Sequence, residues 1–327
     1  MTNNTITTAV RASAEARTAE VPRPSRPPRS RGPLHRLRRW WIMGGFSTLM
    51  IAVPMIFIFG YFAWWPIISG LTMAFQRPDF LGPDEFVGWS NFEYVLTDPL
   101  LPKVIGNTLM FAGLSILFGF PLPLLMATFM AELRGSRRLY SVLAYLPVLI
   151  PPVVVVLLWQ FFYNPGASGF FNEILGVFGI GPFGWLNSSD MVIPSMVLAA
   201  TWAGAGSAMI IYLAAMTSVS RDLYEAAELD GAGIVSRTWH ITFPQIRGVI
   251  LILLLLSIIG SMQVFTEPFI FTKGGPDNAS MTILLMIYNY AFIGADFGAA
   301  TALSVLLGLV LCVVSVIYFY ATRRYSK

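Results

Sequence analysis

Charged residues are scarce in this sequence. Asp, Glu, Lys and Arg make up 12% of its 327 residues, whereas hydrophobic residues make up 56%. An ordinary soluble domain is about 25% charged. The apolar residues come in runs long enough to cross a bilayer, not in the short stretches typical of buried strands. The composition therefore favours a membrane protein over a soluble protein with a very large core.

Cysteine and histidine are nearly missing as well. The one cysteine, Cys312, lies in an apolar run, which excludes a disulfide or a cysteine-based metal site within the chain. The chain has two histidines, His35 and His240. These are too few for a histidine-rich metal site and make a Ser-His-Asp triad difficult to build. The phosphate-binding pattern G-x-x-x-x-G-K-[ST] is also missing, so we do not expect this chain to bind ATP. We predict no catalytic residues, no metal site and no cofactor in this chain.

Residues 1–40 are rich in Arg, Pro and Ser. Such a segment cannot bury enough apolar area to offset the entropy lost on ordering, so we predict that it is disordered. Its charge resembles that of a nucleic-acid-binding arm. We interpret it instead as a cytoplasmic tail that fixes orientation and contacts anionic membrane lipid, with no nucleic-acid partner.

The remaining residues, 41–327, are predicted to form one all-α, polytopic membrane domain. Six apolar runs of about 23 residues would each extend about 35 Å as a helix, enough to cross a hydrocarbon core of about 30 Å. A shorter run, 281–293, predicts an interfacial helix. The six predicted spans lie near 42–64, 108–131, 139–162, 192–216, 249–271 and 299–321.

The distribution of Lys and Arg predicts the orientation of these spans. With the N-terminus inside, 18 of the 21 Lys and Arg residues are cytoplasmic, whereas Arg77, Lys103 and Lys273 lie outside. Cytoplasmic segments of membrane proteins carry such an excess of basic residues. We therefore predict that both termini, and the loop 217–248, are cytoplasmic.

The loop 217–248 contains a polar stretch, YEAAELDGAGIVSRTWHITFP, over residues 224–244. Asp222 and Glu225 have the spacing of a capping box and predict a helix over 223–229. Asp230-Gly231 predicts its end, because Gly tolerates the left-handed conformation found after a helix. A second short helix is predicted over 234–241, with Pro244 ending it before the fifth span.

One corner of this stretch has almost no side-chain bulk, since small residues cluster there: Ala226, Ala227, Gly231, Ala232 and Gly233. Small residues allow another surface to approach closely, and the flanking acids give the corner a negative charge. An ordinary solvated loop is the alternative.

The fragments Glu225-Ala226-Ala227, Asp230-Gly231-Ala232 and Ile241-Thr242-Phe243-Pro244 resemble the EAA loop of permease subunits from bacterial ABC importers. Trp239, Phe243 and Gly248 depart from residues common in that family but leave the turn intact. Four further fragments, 86–92, 106–108, 168–172 and 272–276, are similar to the carbohydrate branch, in particular to maltose- and glycerol-phosphate-type first permeases. The resemblance covers about residues 42–324.

This resemblance implies an ABC type I importer permease fold and a multi-pass location in the bacterial cytoplasmic membrane. It further implies four partners: a second permease, two ATPase subunits that bind ATP, and an extracytoplasmic solute-binding protein. The ATPase contact is expected at Glu225, Ala226, Ala227, Asp230, Gly231, Ala232 and Pro244.

The resemblance also brackets a solute path in the fourth and fifth spans. Sugars bind through paired hydrogen bonds and aromatic stacking, which suits the polar and aromatic residues there: Trp202, Ser207, Ser257, Ser261 and Gln263. The alternative is structural, because membrane Ser often bonds its own backbone and Trp often marks an interface. We interpret Glu267 as a solvated charge near the outer surface.

Other functions remain open. An ABC permease for a non-sugar solute is the main alternative to a sugar permease. A secondary transporter is less favoured, because such proteins carry charged groups within the membrane and show internal repeats. A channel would need rings of charged or acceptor groups.

Overall fold

The computed structural model describes Trp41 and residues 46–78, 83–133 and 137–323. The predicted tail, 1–40, lies outside the described residues. The helices are α1 Phe46–Phe59, α2 Trp65–Met73, α3 Ser90–Leu96, α4 Leu101–Leu114, α5 Pro121–Glu132, α6 Arg137–Tyr145, α7 Pro152–Phe162, α8 Phe170–Gly176, α9 Val192–Thr217, α10 Arg221–Leu229, α11 Ile234–Arg237, α12 Phe243–Met262, α13 Thr266–Phe271, α14 Ile283–Tyr288 and α15 Phe297–Thr322.

Shorter elements connect some of these helices. The π-helical segments are Gly60–Trp64, Ser115–Gly119, Thr238–Thr242 and Asn289–Ile293, and the 3-10 turns are Leu146–Leu149 and Trp185–Asn187. Strands β1 Gln76–Arg77 and β2 Glu85–Phe86 pair antiparallel, with Gln76 opposite Phe86.

Long apolar helices dominate the described part of the chain. Five are long and apolar enough to cross a membrane, and a bent helix pair, Arg138–Leu149 with Pro152–Phe162, gives a sixth when counted as one span. The prediction of an all-α fold with six spans is confirmed on that count. The five are Ser47–Met73, Leu101–Glu132, Val192–Thr217, Ile234–Phe271 and Phe297–Thr322.

The chain divides into two compact units, Met1–Pro66 and Ile67–Lys327. In the first unit, α1 is apolar all around and most of its large side chains are exposed, as Ile51, Phe57 and Phe59 illustrate. A helix of this kind is stable in contact with lipid or with another membrane helix. The features described below all belong to the second unit.

The third predicted span, 139–162, is not the single straight helix that its length suggests. It bends by 97° between Leu149 and Pro152. Ile150 and Pro151 have extended backbones, with ψ of 128° and 138°, and Pro152 begins α7. A residue that precedes proline disfavours the helical conformation, so two successive prolines break the helix here.

The fourth span, α9, is the centre of the second unit. Met196 and Met209 on this helix are fully buried. Met196 packs in a cluster with Phe111 of α4 and Trp159 of α7, and Met209 packs in a second cluster with residues of α5 and α12. A Cβ on Gly206 of α9 would lie 2.4 Å from the carbonyl oxygen of Ala144, so α6 approaches α9 very closely.

Side chain–backbone hydrogen bonds stabilise two loops, residues 163–185 and residues 272–283. We call these two loops together the loop end. Asn172 is the centre of the first loop. Four carbonyl oxygens, those of Asn164, Pro165, Gly166 and Phe183, lie within hydrogen-bond distance of its Nδ2 and share its two hydrogens. Its Oδ1 accepts from the Phe183 N–H at 3.0 Å and from Trp185 Nε1 at 2.9 Å. Asn172 is therefore buried and almost fully bonded.

Asn107 and Thr108 of α4 hold the second loop. Asn107 Nδ2 donates to the carbonyl oxygens of Asn278, at 2.8 Å, and Met281, at 2.9 Å. Thr108 Oγ1 accepts from the Ile283 N–H at 3.0 Å, at the start of α14. The fragment 106–108 is thus bonded directly to residues 278–283, which follow the fragment 272–276 in the chain.

The short apolar helix predicted over 281–293 is present as Ile283–Ile293. Tyr290 within it donates to Asp98 Oδ2 at 2.5 Å. Burial, and then the bond to Asp98, raise the pKa of the Tyr290 phenol. The phenol therefore keeps its proton and holds this helix against the residues that precede α4. The placement of the helix at the membrane interface stays a prediction.

Candidate functional site

The corner segment, residues 221–244, begins with α10. The hydroxyl of Ser220 accepts from the Asp222 N–H at 3.3 Å and caps this helix. Our prediction that Asp222 provides the cap was therefore wrong, because the helix begins two residues earlier, at Arg221. Asp222 lies in the first turn, where a carboxylate is stabilised by the positive end of the helix dipole.

Helix α10 ends at the predicted glycine. Gly231 has φ of +79°. The Gly231 N–H donates to Glu228 O at 3.0 Å, and the Ala232 N–H donates to Ala227 O at 2.9 Å. These two bonds form a Schellman motif, which requires a left-handed residue after the helix. The break between the two halves of the corner segment therefore depends on Gly231.

The second half of the corner segment differs from the prediction. Instead of a separate helix ended by Pro244, α11 continues through the π segment Thr238–Thr242 into α12. Pro244 stands in the first turn of α12, where a missing backbone N–H costs little. The wider π turn just before it accommodates the ring. The fifth span thus extends directly into the corner segment.

Most of the predicted contact residues face outward. Glu225, Ala226, Asp230, Gly231 and Pro244 are exposed, and Ala227 and Ala232 are half-buried. Large apolar side chains beside them are also exposed, with Leu229 at 90%, Val235 at 71% and Trp239 at 63%. Clustered exposed apolar side chains indicate a surface that binds a partner.

A buried arginine fixes the corner segment to the rest of the bundle. Arg237 in α11 is 9% exposed. Its Nη1 bonds Glu228 of α10, and its Nη2 lies 3.5 Å from Oε2 of Glu132, the last residue of α5. Tyr224 and Thr242 add a hydroxyl–hydroxyl bond of 2.9 Å across the two halves. These side chains line a cavity of about 350 Å³ between the corner segment and the helix ends.

Two further cavities lie between the spans. The larger, about 440 Å³, is lined by residues of α4, α5, α9, α12 and α13. The smaller, about 250 Å³, is lined by the bent pair together with α9 and α13. Four residues line both of them: Ala200, Gly204, Thr266 and Glu267. The two cavities are therefore neighbours around one part of α9.

The structure brings four of the five predicted solute-path residues to these cavities. Ser257, Ser261 and Gln263 line the larger one, and Ser207 lines the smaller one. Trp202 belongs to neither lining; its ring packs edge-on against Trp159, with the centroids 5.8 Å apart. Ser261 Oγ donates to Ile258 O at 3.0 Å, the backbone bond that was the structural alternative.

Sequence reasoning missed four polar residues of the cavities: Ser115, Thr201, Thr266 and Glu267. Thr201 lies beside the predicted Trp202, so the polarity of this stretch of α9 was a usable signal. Glu267 was interpreted as a solvated charge, but its side chain is half-buried and faces both cavities. Glu267 lies in the first turn of α13, after the break that follows α12.

Metal chemistry finds no support in the described part of the chain. Among those residues, no group of three or more His, Cys, Asp or Glu side chains is placed to hold a metal ion.

Comparison with known proteins decides the family. Residues 119–327 match the family model described as "Binding-protein-dependent transport system inner membrane component". This chain belongs to that family. The matched residues include the corner segment and most of the lining of both cavities.

Alignments with individual relatives also include residues before 119. The permease is 32% identical over 280 residues to an sn-glycerol-3-phosphate transport system permease protein of Pectobacterium atrosepticum, covering 84% of this chain and 93% of the relative. It is 30% identical over 273 residues to an arabinooligosaccharides transport system permease protein of Bacillus subtilis, covering 83% and 87%.

A solved structure agrees with the fold. A bacterial ABC transporter involved in the import of the acidic polysaccharide alginate contains a chain that superposes with a TM-score of 0.78 at 30% identity. The superposition covers 88% of this permease and all of that chain. The permease is thus a multi-pass inner membrane subunit with the fold of an ABC importer permease.

Proposed function

We propose that this permease passes a carbohydrate from an extracytoplasmic binding protein across the membrane, driven by ATPase subunits that bind the corner segment. The observation that carries the proposal is the corner segment itself. It combines a helix end at a glycine with positive φ, small exposed residues and large exposed apolar side chains. A partner surface of complementary shape would cover Leu229 and Val235 while approaching the backbone at Gly231.

The cavities support a carbohydrate as solute. Their linings combine hydroxyl, amide and carboxylate groups with apolar side chains. Concave sites with a few convergent polar groups are typical of small-molecule binding. The two relatives described above are named as permeases for arabinooligosaccharides and for sn-glycerol 3-phosphate. We infer a polyhydroxylated solute for this permease.

A second permease subunit is part of the proposal. Many large side chains on the spans are exposed in the isolated chain, including Phe129, Ile252 and Ile317. Lipid covers some of these faces, and a partner permease would cover others and close the cavities. ATP-driven approach of the two ATPase subunits would then rotate the permeases as rigid bodies and switch access to the cavities.

Site-directed crosslinking tests the ATPase contact. In a Cys312→Ser background, Ala227→Cys should crosslink to an ATPase subunit that copurifies with the permease in mild detergent. Ser189→Cys, an exposed residue before α9, is the matched control and should give no ATPase crosslink. Equal crosslinking at both positions, or a permease that purifies without any ATPase, would contradict the proposal.

A further inference from the structure

Glu267 occupies an unusual position for a carboxylate in a membrane protein. It lies in the first turn of α13, just after the break that follows α12, and lines both cavities between the spans. Ionisable residues inside membrane proteins are costly and are associated with solute pathways. The predicted solute-path residues Ser261 and Gln263 line the same cavity.

The charge of the cavities comes from this residue. Among the described residues that line them, Glu267 alone is charged, and it forms no ion pair with a described cation. When Glu267 is ionised, a solute in either cavity therefore meets a negative charge that no described cation compensates.

The hydrogen-bonding groups near Glu267 also suit a solute that carries hydroxyl groups. A carboxylate can only accept hydrogen bonds when it is ionised. Ser261 Oγ already donates its proton to Ile258 O, so toward the cavity it can only accept. Gln263 Nε2 uses one of its two donors on Ile259 O at 3.3 Å. The linings also hold hydroxyl groups that can both donate and accept, and these suit a solute rich in hydroxyl groups: Ser115, Thr201, Ser207, Ser257 and Thr266.

We propose that Glu267 contacts the solute and selects neutral, hydroxyl-rich oligosaccharides against anionic sugars. This inference rests on the proposed carbohydrate function and narrows it. Adjacent sugar hydroxyls would donate to the two carboxylate oxygens. A sugar carboxylate or phosphate would be repelled, because like charges brought together in a site of low polarity disfavour binding.

Uptake by the complete transporter tests this selection. Cells that express the permease with its partner subunits would be given labelled neutral trisaccharides (arabinotriose, maltotriose) and anionic sugars (triguluronate, sn-glycerol 3-phosphate). Wild type should take up at least one neutral sugar and exclude the anions. Glu267→Gln should raise the anionic-to-neutral uptake ratio about tenfold, since the repulsion is removed. Glu173→Gln, an exposed glutamate of α8, should leave the ratio unchanged.

The possible failures are distinguishable. If wild type takes up neutral sugars but Glu267→Gln leaves the ratio unchanged, Glu267 does not select the solute, although the permease still carries sugars. If Glu267→Gln prevents recovery of the complex with its second permease, the carboxylate is a subunit contact and the inference is wrong. If wild type takes up none of the sugars, the carbohydrate function fails and the inference with it.

Discussion

The loop end and the corner segment differ in where their polar side chains form hydrogen bonds. At the loop end, Asn107, Thr108 and Asn172 bond the backbone of their own chain. In the corner segment, Glu225 and Asp230 are exposed, and the internal bonds come mainly from Arg237, Tyr224 and Thr242. The loop end is therefore built to hold its own shape, whereas the corner segment keeps polar and small residues available for a partner.

The largest expected effect comes from filling the corner. Gly231→Asp should reduce uptake by at least about tenfold, because a charged side chain would project into a surface that a partner must approach closely. Within this chain a Cβ at Gly231 meets nothing within 4 Å, so the cost to the permease itself is the strain of a positive φ, about 1 kcal/mol. Initial uptake rates per assembled complex measure the effect.

Gly233→Asp is the matched control for the corner. Gly233 has φ of −71° and equally open surroundings. It belongs to the small-residue corner but is not among the residues expected to contact the ATPase. This variant should retain most of its uptake. An equal loss in both variants would mean that any added charge disturbs the segment and that the corner at Gly231 has no special role.

A smaller effect, of a different kind, is expected at the loop end. Asn172→Leu should lower the free energy of unfolding by about 2 kcal/mol, because buried backbone groups lose their partners. Uptake per folded complex should change little. Thermal unfolding in detergent and uptake should be measured on the same preparations, with the exposed Asn187→Leu as control. A loss of uptake without a loss of stability would place Asn172 in transport itself and remove the contrast between the two ends.

The smallest effect on stability is expected at Arg237. Arg237→Met should cost about 1 kcal/mol of stability, because its partners Glu132 and Glu228 are 36% and 52% exposed and water screens them. Uptake should fall severalfold, because the corner segment would lose its tie to α5. Arg237→Lys should restore part of the uptake. The exposed Arg221→Met is the control, and an equal loss there would show that net charge matters and the tie does not.

Hydropathy predicted the helical spans well, because a bilayer constrains length and composition more strongly than any other feature of the sequence. Gly231 was also predictable, since few residues tolerate its conformation. The 97° bend at Pro151 and Pro152 was not. Proline marks where a helix is interrupted, but the angle depends on packing against α9.

The cavities, too, include residues that the sequence predicted and residues that it did not. Ser257, Ser261 and Gln263 were named from residue type and position, and they do line one cavity. Glu267 was misinterpreted because its orientation depends on the break between α12 and α13. No local pattern in the sequence indicates which way the chain turns after such a break.

The continuity of the fifth span has a mechanical consequence. From Ile234 to Met262 the backbone runs as consecutive helical segments without a loop, a distance of about 44 Å at 1.5 Å per residue. One end carries Arg237 and the exposed corner, and the other end carries Ser257 and Ser261. The helix can act as a lever arm: a push at the corner tilts the helix, and a tilt of about 5° displaces serines roughly 30 Å away by about 3 Å. The π segment Thr238–Thr242 is where such a lever would flex.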